Sequence, residues 1–85
     1  ELIGLHVTYH PTRLRVEVLV PLGQELHAHL VDRVHAPLHA WPSRTFAPGE
    51  HTFELPLPDL MDGEHFFQLS TATQRTVRLF RLQQQ

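Results

Sequence analysis

Histidine is the one residue type in this chain whose abundance and spacing could do chemistry, with eight in 85 residues. The stretch FAPGEHTFELPLPDLMDGEHFFQL, residues 46–69, carries one pattern twice: Gly49, Glu50, His51 and Phe53 recur fourteen positions later as Gly63, Glu64, His65 and Phe67. Two histidines with acidic neighbours at a fixed interval could furnish half of a metal site or an acid/base pair. They could equally mark two strand entrances. Zinc needs three or four ligands within ~2.1 Å of one point, and short zinc motifs pair them as H-x3–5-H or HExxH. The chain offers His6 with His10, His35 with His39, and His27 with His29. The last two share one side of a strand, about 6.5 to 7 Å apart, and chelate only where a third ligand approaches. No cysteine and no glycine-rich phosphate loop accompanies these pairs. We therefore read the histidines as solvated or structurally satisfied, and expect neither a metal nor a cofactor.

Hydrolytic chemistry has less to draw on. A nucleophile would have to be Ser43, Ser70 or a threonine, and no G-x-S-x-G elbow occurs. Ser43 follows Pro42 in a loop and Ser70 closes a strand, both ordinary positions for serine. The constellation that general-base catalysis requires is missing, so the expectation is a protein that is not an enzyme. For binding, Tyr9 and Trp41 are the single members of their types. Either could offer a stacking face to a sugar or a partner, while Trp41 could instead cap one end of the core. WPSRTFAP, residues 41–48, is the longest irregular stretch and the natural place for a recognition surface.

The elements that must hold these residues follow from period two. In RLRVEVLVP, residues 13–21, Leu14, Val16, Val18 and Val20 fall on one face and Arg13, Arg15 and Glu17 on the other. Residues 25–34 set Leu26, Ala28 and Leu30 against His27, His29 and Val31. EHTFELPL aligns His51, Phe53, Leu55 and Leu57. Pro56 and Pro58 cannot donate to a ladder, so this strand belongs at an edge or leaves its sheet near Leu55. EHFFQLS puts His65, Phe67 and Leu69 together, and RTVRLFRL, residues 75–82, alternates after a hairpin loop at STATQ, residues 70–74. Strands at 2–9 and 37–41 bring the count to about seven. The expected fold is all-β, an antiparallel Ig-like β-sandwich, with a small barrel as the alternative. Phe53, Leu55, Phe67, Leu69, Leu14, Val16, Val18, Leu26 and Leu30 form its expected core.

The totals bound the rest. A chain of 85 residues encloses one core, placed here at residues 1–82 with 83–85 a frayed tail. Seven arginines and no lysine stand against nine acidic residues, for a formal net charge of −2. Such a balance gives no field for nucleic acid. No apolar run approaches the ~20 residues of a membrane-spanning helix. The opening at Glu1 reads as a cut at the boundary of something longer.

The order VTYHP, RLRVEVLVP, LVDRVHAPL, FAPGEHTFEL, PDLMDGEHFFQLST, RTVRLFRL resembles the C-terminal sorting domain of the bacterial type IX secretion system and the related Ig-like domain of flagellar hook-capping proteins. On that resemblance Pro11 stands at the closing proline of the opening Pro-Asn-Pro motif, Asp32 at the strand-end aspartate, Gly49 and His51 at G-x-H, Leu60 at the leucine and Gly63 at the second glycine. His65 occupies the place usually held by tyrosine, and no glycine follows Asp32. The resemblance implies a non-catalytic C-terminal module that directs secretion or cell-surface attachment of a larger cargo N-terminal to Glu1. Its partners would be that cargo and the export or attachment machinery, and its location the outside or outer-membrane surface of a bacterium. A carbohydrate- or ligand-binding accessory module using Tyr9 and Trp41 is the alternative.

Overall fold

The computed structural model describes residues 3–10 and 12–83. Eight strands form among the described residues: β1 (Ile3–His10), β2 (Arg13–Val20), β3 (Gln24–Val31), β4 (Pro37–Ala40), β5 (Arg44–Phe46), β6 (Gly49–Pro56), β7 (Gly63–Ser70) and β8 (Arg75–Leu82). All pairings are antiparallel, in a three-stranded sheet ordered β1-β2-β6 and a five-stranded sheet ordered β4-β3-β7-β8, with β5 also on β3. The alternation that marked β2 is what builds the sandwich. Leu14, Val16, Val18 and Val20 are all buried, facing Leu26, Leu30, Phe67 and Leu69 of the other sheet in one core.

β1 and β8 lie side by side where the two sheets meet. Side chains rather than a ladder join them: Arg78 Nε donates to the Leu5 carbonyl at 3.1 Å, and the Tyr9 hydroxyl to the Gln83 carbonyl at 3.3 Å. The architecture is thus an open sandwich rather than a closed barrel. Among the described residues β6 pairs only with β2 and stops at Pro56, so Pro56 sits at a sheet edge, where its missing N–H breaks no ladder, and Pro58 follows where the chain has left the sheet. The segment that follows, 57–62, crosses to the other sheet. It is fastened by the Leu57 N–H on the Thr12 carbonyl at 3.0 Å and by Leu57 and Leu60 packing against the core.

Among the described residues the strands number eight where the sequence suggested about seven, because the stretch 41–48 is not wholly irregular. β5 lies within it and pairs Arg44–Phe46 with Gln24–Leu26. β4 and β5 occupy successive parts of the same edge of β3, and the Trp41 N–H continues the ladder to the Ala28 carbonyl. From Trp41 to Arg44 the edge takes three steps while β3 takes two, Ala28 to Leu26. Pro42, which has no N–H to donate, stands in that bulge. Phe53, expected in the core, is partly buried: it sits on edge strand β6, with the Arg44 guanidinium 5.5 Å from its ring centroid.

Candidate functional site

The doubled G-E-H pattern forms the same small structure twice. Gly49 and Gly63, the first residues of β6 and β7, have φ of 129° and 131°. That region of backbone conformation is rarely open to a residue with a Cβ. Two residues on, each histidine turns back over the corner. His51 Nε2 lies 2.7 Å from the Ala47 carbonyl oxygen and His65 Nε2 lies 2.7 Å from the Met61 carbonyl oxygen, in both cases the carbonyl four residues upstream. A carbonyl only accepts, so Nε2 carries the hydrogen in both rings and donates it. Each ring also rests against a buried phenylalanine, His51 on Phe46 at 5.0 Å and His65 on Phe80 at 5.7 Å between centroids.

The two histidines do not meet. Both are half-buried, but His51 is on the three-stranded sheet and His65 on the five-stranded one. They also stand at opposite ends of the sandwich. His51 pairs with Val18, beside the start of β1, whereas His65 pairs with Phe80, near the end of β8 where Gln83 reaches Tyr9. What the arrangement does is closure: it satisfies a turn carbonyl and fixes the angle at which each strand enters its sheet.

The remaining motif positions are architectural as well. Asp32 Oδ1 accepts from the Val34 and Ala36 backbone N–H groups, both at 2.9 Å, while its own N–H and C=O bond Ala36 and His35 at 3.0 Å. It thereby ties the whole β3–β4 turn. The left-handed residue of that turn is His35, at φ 65°, where a glycine would sit without strain. Leu60 packs against the core, and Pro11 lies outside the described residues.

Trp41 is 7% exposed and belongs to the core. Its ring meets His39 edge-on at 4.8 Å and Phe67 at 6.0 Å, and its Nε1–H donates to the Pro56 carbonyl at 2.8 Å. That bond joins the edge of the five-stranded sheet to the last residue of β6, so the tryptophan stitches the two sheets together. Tyr9 is partly buried against the core. At 7% exposure the Trp41 ring leaves no open face for a stacked ligand.

Of the other histidines, His27 and His29 do share the outer face of β3, where His27 Nε2 stands 3.5 Å from a Glu25 carboxylate oxygen. His6 borders a shallow depression on the outer face of the three-stranded sheet, with Glu17, Glu50, His51 and Thr52. Among the described residues no three His, Cys, Asp or Glu side chains come together in a group able to hold a metal ion. No helix among them is long and apolar enough to cross a membrane. The element missed from the sequence, β5, brings Arg44 over the rings of Phe46 at 5.1 Å and Phe53, and its only sequence signal was the aromatic at position 46. Comparison with protein-family models, with curated proteins and with solved structures finds no match for this chain.

Proposed function

We propose that this domain is a non-catalytic module that directs the secretion or cell-surface attachment of a larger cargo protein in a bacterium, with the folded sandwich as the element the machinery reads. The observation that carries this reading is the paired corner. The positions that resemble the sorting-domain motif, Gly49 with His51 and Gly63 with His65, are used here to set two strand entrances rather than to assemble a reactive centre. Asp32 and Leu60 likewise serve a turn and a core contact. A motif spent on architecture suits a domain recognised by its shape. The strand order adds support: β1-β2-β6 against β4-β3-β7-β8 corresponds to the A-B-E and C-F-G sheets of Ig-like sandwiches, with β4 as an added edge strand.

The test is transfer. Residues 1–85 joined to the C-terminus of a neutral periplasmic reporter should carry the reporter outside a host that has an outer-membrane export machine. The same fusion with Gly49→Val and Gly63→Val, which disturbs both corners, should leave it in the periplasm. Retention of the unaltered fusion, shown to be folded, would overturn the proposal.

A further inference from the structure

The outer face of the five-stranded sheet is unlike the outer face of its partner. On the three-stranded sheet, charged residues occupy it, with Arg13 bonded to Glu54 at 2.9 Å and Arg15 near Glu17 at 3.5 Å. On the larger sheet, the row formed by Val31, Phe66 and Leu79 is apolar across three strands, and Leu38 of β4 extends it. Leu38 and Leu79 are 65% and 54% exposed. Val31 is buried yet lies outside the core cluster, because these outer neighbours cover it. The next row pairs His29 with Gln68, and there two buried polar atoms, His29 Nδ1 and Gln68 Oε1, have no hydrogen-bond partner. Side by side in one ladder, they do not satisfy each other.

We propose that this face is the interface of an isologous dimer, covered by a second copy of the same chain. An isologous contact requires that residue i meet j while j meets i. A two-fold axis parallel to the strands, between β3 and β7, lays β7 of one copy on β3 of the other. Phe66 then covers Val31 of the second copy, and Leu79 covers Leu38. His29 comes over Gln68 in both directions, which gives each orphaned atom a partner after a small side-chain rotation. The ends of the face are complementary under the same operation. Arg33 and Arg75 have no carboxylate within 4 Å among the described residues. The axis brings Arg33 towards Glu64 of the second copy, which already holds its own Arg81 at 3.1 Å, and Arg75 towards Glu25, which accepts from its own Ser43 at 2.9 Å, so each arginine would join an existing polar group. An apolar centre with a charged rim is the usual anatomy of such a contact, and a formal net charge of −2 leaves little repulsion between copies.

Sedimentation equilibrium on residues 1–85, from micromolar to millimolar concentration, tests this. The wild-type chain should pass from monomer to dimer, and Leu79→Arg should weaken association at least about tenfold with an unchanged circular dichroism spectrum. Glu25→Arg and Arg75→Glu should each weaken self-association, while an equimolar mixture of the two should form the mixed dimer. A wild-type chain that stays monomeric at millimolar concentration, a dimer indifferent to Leu79→Arg, or a mixture no tighter than its components would each overturn the proposal. The inference does not depend on the export reading.

Discussion

Replacing Gly63 with alanine isolates the cost of the corner itself. The added Cβ would meet nothing within 4 Å, so no clash contributes. What remains is the backbone, held at φ 131°. A residue with a Cβ in a sparsely populated region costs on the order of 1–3 kcal/mol, from which the lower unfolded-state entropy of alanine returns about 0.4–1 kcal/mol. The net expectation is a loss of about 1–2 kcal/mol, or roughly 5–15 °C in Tm for a domain of this size. Gly49→Ala, at φ 129° and also in open space, should cost the same. Gly23 is the control: its backbone is not in the positive-φ region, and its added Cβ would touch Phe46 and Pro48 at an ordinary 3.6 Å, so Gly23→Ala should be near neutral. Urea denaturation with a common m-value is the assay. If Gly63→Ala unfolds with the wild-type midpoint, or Gly23→Ala falls as far, the corners do not depend on glycine and the reasoning fails.

Phe67 is fully buried against Trp41, and truncation to alanine should cost about 3–5 kcal/mol, read as a fall in the denaturation midpoint. Asp32→Ala removes two backbone bonds from the β3–β4 turn and should cost about 1–2 kcal/mol. His35→Gly relieves the left-handed strain at φ 65° in the same turn and should gain up to about 1 kcal/mol, seen as a raised Tm.

Period two made most of the scaffold readable, since a sheet with one wet and one dry face writes its alternation directly into the chain. β8 begins and ends where its alternation does, at Arg75 and Leu82, and Pro56 at the end of β6 announced an edge. β5 escaped because a strand of three residues, Arg44–Phe46, is too short to show a period. Its inward positions hold Arg44 and Phe46, and the arginine lies on the rings instead of alternating with them. The G-E-H repeat was legible as two strand entrances with glycine at each corner. The bond from each histidine to the carbonyl four residues back was not, because it depends on how tightly the preceding turn folds over. Trp41 is the reverse case. As a single aromatic it suggested either a core cap or a binding face, and only the bond from Nε1 to the Pro56 carbonyl, across the two sheets, gives it its place.

The central claim is that the two G-E-H copies are separate pieces of architecture rather than halves of one site. A double-mutant cycle on His51→Ala and His65→Ala measures this directly through unfolding free energies. Each substitution alone should cost about 1–2 kcal/mol for the lost hydrogen bond and ring contact. Residues on different sheets and at opposite ends should add to within about 0.5 kcal/mol. A coupling above about 1 kcal/mol, of either sign, would place the two histidines in a common site and contradict the account.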